Sequence, residues 1–254
     1  MTQTIIAVAN QKGGVGKTTT AVNIAASLAD SKFTVLLVDL DPQGNATSGL
    51  GLAKEGQRTT YEVLLGTAEL ANSVQETHVK NLYILPANPN LAAAELDIAD
   101  MDKREYRLAE ALRTAAYDYI IIDCPPALSL LTVNALTAAT HVLIPVQTEY
   151  YALEGLGQLL GTVQRVRETT NPRLDLLGVV LTMYDKRISL SEQVKAEIQT
   201  HFGDKLFSAV VPRNVRLAEA PSYGKTIFEH DSWSKGARAY KAVTKELINR
   251  TGGK

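Results

Sequence analysis

The turn Lys12-Gly13-Gly14-Val15-Gly16-Lys17-Thr18-Thr19 sits between an aliphatic run at residues 5–9 and a helical pattern over residues 18–30. Glycines let a backbone fold tightly and aim successive N–H groups at the oxygens of a phosphate. The helix that follows presents its positive N-terminal end to the same anion. In that setting Lys17 can reach the β- and γ-phosphates of a nucleotide, and the Thr18 hydroxyl can ligate Mg²⁺. The standard pattern for such a loop requires glycine at position 11. Gln11 stands there, and a second lysine, Lys12, begins the glycine run.

The rest of the chain supports a fold that uses such a turn. Short aliphatic runs at 5–9, 35–39, 82–85, 119–123, 141–146, 176–181 and 208–211 alternate with helical patterns at 18–30, 103–115, 153–169, 190–202 and 234–250. Several runs are continuously apolar, as expected of strands covered by helices on both faces. Ser189 and Glu192 suggest a capping box for the fourth helix. The alternation predicts an α/β fold with a doubly wound, mostly parallel sheet. The absence of linkers, repeats or low-complexity tracts predicts one domain over 1–254. Ligands of such sheets sit at the carboxyl ends of strands, where Asp39, Asp41 and Asp123 fall. Asp39 and Asp41 lie two apart on an extended segment and can face the same way.

With 45 % apolar residues the chain can build a core; with 6 % aromatics, that core should be aliphatic. The net charge of −1 excludes a generally basic nucleic-acid coat. The charge is unevenly divided: residues 1–127 carry 10 basic and 15 acidic side chains, residues 128–254 carry 16 and 12. A polyanion-binding face is therefore expected in the second half. The start of the chain lacks a basic n-region, and no run reaches the ~18 apolar residues of a membrane span, so a cytoplasmic protein is expected. Cys124 alone forms neither an internal disulfide nor a cysteine cluster, and reads as a small buried hydrophobe.

The K-G-G-x-G-K-T-T turn resembles the deviant Walker A loop of the ParA/MinD group of P-loop NTPases. Asn10-Gln11 before it, Asp41-Pro42-Gln43-Gly44-Asn45 after the second strand, and the segment from Glu149 to Gly155 narrow the resemblance to the ParA/Soj branch, from about Ile5 to Tyr240. The resemblance implies an ATPase that partitions a chromosome or plasmid, converting ATP and water to ADP and phosphate with Mg²⁺. It places ATP on Lys12, Gly13, Gly14, Val15, Gly16, Lys17, Thr18 and Thr19, and adenine near Pro212 and Asn214, with Met183 as a packing wall. It gives Lys12 a cross-subunit contact to the partner's ATP in a sandwich homodimer. Lys17 acts on the phosphates and Asp41 orients the attacking water. Thr18, Asp39 and Asp123 belong to the Mg²⁺ shell.

The same resemblance implies non-specific double-stranded DNA binding through Arg187 and Arg216, nucleoid association, and stimulation by a ParB-type centromere-binding protein. Lys186, Arg213, Lys225, Lys235, Arg238 and Lys241 gather near those arginines in the sequence, with little aromatic interleaving. Phosphate contact should then dominate, with strong salt dependence. A MinD-like membrane-docking regulator is the alternative. It would use the stripe Tyr240, Val243, Thr244, Leu247 and Ile248, a pattern expected to face a core, so no stable membrane association is expected. An iron–sulfur reductase of related fold needs paired cysteines that Cys124 cannot supply.

Overall fold

The computed structural model describes residues 3–56, 58–149 and 152–253. Its strands are β1 (Thr4–Val8), β2 (Val35–Asp39), β3 (Gln75–Glu76), β4 (Leu82–Leu85), β5 (Tyr119–Asp123), β6 (His141–Gln147) and β7 (Asp175–Thr182). They form one sheet in the order β3-β4-β2-β5-β1-β6-β7. β3 pairs antiparallel with β4, and the remaining pairs are parallel. The expected doubly wound α/β fold is present.

Alternation along each strand divides the core into two layers. Ile6, Val8, Val35, Leu37 and Ile121 face one side; Ala7, Leu36, Val38, Ile120 and Ile122 face the other. Every residue of β2 and β5 is buried, which is why both read as unbroken apolar runs. On the first side pack α1 (Lys17–Asp30), α2 (Asn45–Gly49), α9 (Val215–Glu219), α10 (Ile227–His230) and α11 (Lys235–Arg250). On the second pack α3 (Thr60–Leu65), α4 (Ala94–Asp97), α5 (Arg107–Leu112), α6 (Leu130–Ala138), α7 (Ala152–Thr169) and α8 (Ser189–Phe202). Each fully buried aliphatic side chain contributes about 1.5–3 kcal/mol.

Three local expectations are corrected. Residues 208–211 form no strand. The chain there touches β7 at separate points: Phe207 N–H donates to Val179 O (2.8 Å) and Val211 N–H to Leu181 O (2.8 Å). Side chains of α11 take the other backbone groups: Glu246 accepts from Ser208 and Ala209 N–H, and Arg250 donates to Leu206 O. The Ser189–Glu192 capping box does not form, because Glu192 accepts the Tyr184 hydroxyl instead. Capping boxes occur at Thr59–Glu62 and Thr226–Glu229. The helix expected over 103–115 is shorter: a 3₁₀ turn at Arg104–Tyr106 precedes α5.

Of the amphipathic stripe in α11, Tyr240, Val243, Thr244 and Leu247 are buried in the core. No helix among the described residues is long and apolar enough to cross a membrane.

Candidate nucleotide site and basic face

β5 lies between β1 and β2, so the segments leaving these three strands converge at one edge of the sheet. The glycine-rich turn leaves β1 and runs into α1. Gly14 (φ +74°) and Gly16 (φ +86°) take left-handed conformations there, which a side chain would strain. Asn10 braces the turn: its amide donates to Pro145 O (2.7 Å) and its carbonyl accepts Lys12 N–H (2.9 Å). On the far side Thr182 Oγ1 donates to Val15 O (2.8 Å), tying the turn to β7.

The two lysines have different settings. Lys17 is buried at the start of α1, and its ammonium donates to the Lys12 carbonyl (3.0 Å). Burial pulls its pKa below the usual lysine value, while Asp123, Cys124 and Asp41 draw it back up. Lys12 points away to an ion pair with Glu149 at 2.5 Å. Glu149 belongs to the 149–155 motif; Tyr150 and Tyr151 lie outside the described residues.

Asp39 and Asp123 are register partners on β2 and β5 and are wholly buried. Asp39 Oδ2 accepts Thr47 N–H (2.8 Å) and Thr47 Oγ1–H (2.7 Å), and its Oδ1 accepts Asp41 N–H (3.3 Å). Burial raises Asp39 to about 6 against the pull of those bonds. Asp123 has no hydrogen-bond partner of normal geometry on either oxygen. Burial and then Asp39 push it well above the carboxylate range, although the nearby Thr18 hydroxyl and Lys17 favour its ionised form. Asp41 Oδ1 accepts Gln43 N–H (2.9 Å) at the start of the turn into α2. Burial raises the Cys124 thiol, leaving it inert.

A buried, orphaned carboxylate beside a threonine at the head of α1 fits a divalent cation. No cluster of three acidic, histidine or cysteine side chains among the described residues could hold one. A cation at this edge would therefore complete its shell with Thr18 and ligand oxygens. Asp39, already engaged by Thr47, would reach it by exchanging a hydrogen bond or through water.

Next to the turn is a cavity of about 300 Å³ lined by Gly16, Thr19, Thr182, Met183, Pro212 and Asn214 among others. The three residues expected near a base thus share one wall. Asn214 Oδ1 also caps α9 through Arg216 N–H (2.8 Å). The segment after α2 approaches the segment after α9 backbone to backbone at Gly51 and Gly224. A Cβ on Gly224 would lie 2.7 Å from Gly51 Cα.

Arg187 and Arg216 are surface residues and both are paired within the chain. Arg187 forms a fork with Asp185 (Nη2–Oδ2 2.6 Å, Nε–Oδ1 2.9 Å), which holds Asp185 down to about 2. Arg216 bonds Glu219 (2.9 Å) and lies 3.7 Å from Asp231. Arg187 also lines a cleft of about 660 Å³, with Asp185, Lys186, Arg213, Lys235 and Arg238; Arg216 does not line it. Thr47 and Thr182 act through partners elsewhere in the chain that no local pattern reveals, and the 149–155 motif does not show that Glu149 pairs with Lys12.

A family model described as an AAA domain matches residues 3–176. The chromosome partitioning protein ParA of Caulobacter vibrioides is 49 % identical over 97 % of this chain and 94 % of its own length. The chromosome-partitioning ATPase Soj of Thermus thermophilus is 54 % identical over 96 % and 95 %. Among solved structures, a cobyrinic acid a,c-diamide synthase from Mycobacterium smegmatis with bound ADP and magnesium superposes with a TM-score of 0.87 at 38 % identity, covering 99 % of this chain and 96 % of that one. Identity at this level over nearly the full length, joined to the turn and the three strand-end aspartates, establishes that the chain belongs to the ParA/Soj family of chromosome-partitioning ATPases.

Proposed function

We propose that the protein is a Mg²⁺-dependent ATPase whose ATP-bound form is a sandwich dimer that binds double-stranded DNA without sequence preference. The observation that carries the nucleotide chemistry is Asp123, a buried carboxylate with no hydrogen bond of normal geometry, beside Thr18 and Lys17 at the head of α1. The ADP and magnesium named with the Mycobacterium smegmatis structure support the same ligands here. Thr18 and Asp123 would hold a magnesium ion, with Asp39 in support, and the ion would supply charge neutralisation on the phosphates.

The chain's own groups do the rest. N–H groups of residues 13–19 cradle the phosphates, and Lys17 exchanges the Lys12 carbonyl for them. Asp41, held by the Gln43 N–H, orients the attacking water. Phosphoryl transfer needs mainly such positioning and charge stabilisation. Lys12 leaves Glu149 and reaches the ATP of the second subunit, so the dimer depends on the triphosphate through a contact that only the dimer offers. Met183, Pro212 and Asn214 hold the base.

Arg187 and Arg216, with the cations of the cleft, take DNA phosphates. A ParB-type partner stimulates hydrolysis and so releases the dimer from the nucleoid, within the cytoplasm. The names of the Caulobacter and Thermus relatives support a partitioning role. The MinD-like alternative has less support, since the α11 stripe it would place on a membrane is buried in the core.

Sedimentation velocity with ATP, ADP and no nucleotide tests this reading, run beside a gel shift on unrelated duplexes. A dimer that shifts DNA with ATP only is expected. A monomer in all three states, in the wild type and in Asp41→Ala alike, would overturn it.

A further inference from the structure

The cations show little aromatic interleaving along the sequence, yet the fold brings two exposed rings among them. Trp233, the chain's one tryptophan, is 85 % exposed, and Tyr223 is 67 % exposed. A large ring left in water forgoes the gain of burial, and rings set among cations are the composition of nucleic-acid faces.

The position of Trp233 is fixed by its neighbours. Its backbone N–H donates to Asp231 Oδ1 (3.2 Å), whose Oδ2 lies 3.7 Å from Arg216 Nε. Ser234 caps α11 immediately after it, and Lys235, the first residue of that helix, lines the basic cleft with Arg213 and Arg238. Trp233 is thus linked through Asp231 to Arg216, and it lies two residues before Lys235 in the chain. Tyr223 is held to the same patch by stacking on His230 (5.1 Å), which reaches Glu219, the partner of Arg216. Arg216 offsets one of the two carboxylates Glu219 and Asp231, and Arg187 offsets Asp185; Lys186, Arg213, Lys235 and Arg238 leave the cleft itself net positive.

We propose that Trp233 enters a groove of duplex DNA, its ring against sugars and base edges, while Arg216 and Lys235 hold phosphates on either side. The inference rests on the DNA-binding reading above and refines it. Cations close to an exposed ring suit the phosphates that flank a groove, and apolar side chains are used at base steps in this way. Binding then has two parts: a salt-dependent one from the cations and a salt-insensitive one from the ring.

Because Trp233 is the chain's one tryptophan, its emission reports the contact directly. Full-length protein with ATP and Mg²⁺ is titrated with a dye-labelled random-sequence duplex, following dye anisotropy and tryptophan emission together. Emission should change in step with anisotropy. Trp233→Ala should weaken binding about fivefold or more with an unchanged slope of log K against log salt, and Trp233→Phe should retain most of the affinity. Arg216→Ala should instead reduce that slope by about one. Saturable binding with unmoved emission, or an unchanged Kd in Trp233→Ala, overturns this inference and leaves the DNA-binding reading standing. Emission that ignores DNA but shifts with protein concentration assigns the ring to a contact between copies, and also overturns it. No anisotropy change with any nucleotide overturns both.

Discussion

Asp39 and Asp123 stand opposite each other on adjacent strands, both wholly buried, yet Asp39 accepts three hydrogen bonds and Asp123 accepts none of normal geometry. The first is anchored to the protein and the second is left for something else. Burial raises both, Asp39 to about 6. A carboxyl whose folded pKa lies above its unfolded value contributes stability fully below the unfolded value, near 4, and loses it as pH rises through the folded one. Wild-type protein without nucleotide should therefore lose stability relative to Asp39→Asn between about pH 4 and about pH 6, by roughly 1–3 kcal/mol. Urea midpoints of the two proteins at both ends of that window check it. A constant difference would mean that Asp39 carries no such shift.

Lys12 pairs with Glu149 here, and the proposed dimer needs it elsewhere. Lys12→Ala should keep nucleotide affinity within about tenfold while losing ATP-dependent dimers, measured by light scattering. Glu149→Gln should tighten the ATP dimer by up to about fivefold, since a half-exposed ion pair is worth no more than ~1 kcal/mol. Undiminished dimers in Lys12→Ala would remove the lysine from the interface.

Asp41→Ala should slow hydrolysis about a hundredfold or more and let the ATP dimer accumulate. Phosphate release and sedimentation on the same sample read both effects. Near-normal turnover would assign the water-orienting role to another group.

Arg187 and Arg216 are each paired with a neighbouring carboxylate, so in the proposed complex phosphate would displace Asp185 and Glu219. Arg216→Glu should abolish the gel shift with ATP affinity unchanged. Asp185→Asn should bind DNA a few-fold more tightly, because exposed pairs cost little to break but the carboxylate repels phosphate. Equal DNA affinity in Arg216→Glu and wild type would move the face elsewhere.

The parts of this molecule set by contiguous residues were legible in the sequence. The glycine turn, the strand-end aspartates and the two-sided burial of β2 and β5 each follow from spacing within a few residues. What escaped depends on contacts between distant segments. Thr47 matters because it reaches back to Asp39, Thr182 because it holds Val15, and Glu246 because it occupies the backbone that 208–211 would have offered to a strand. Glu192 matched a capping pattern, but Tyr184 lies close enough to claim it. The short helices between 45 and 97 carry too few turns for a periodic signal. The aromatic character of the basic face was hidden because Tyr223 and Trp233 join Arg216 through turns rather than along one helix.

Gly51 and Gly224 bring two main chains together where a single methyl group would not fit. One belongs to the segment that Thr47 fastens to Asp39; the other follows the helix that carries Arg216. With no compressible side chains in the seam there is little slack to absorb a displacement. A displacement of the segment after α2 would therefore press on the segment after α9, at the rim of the proposed DNA face.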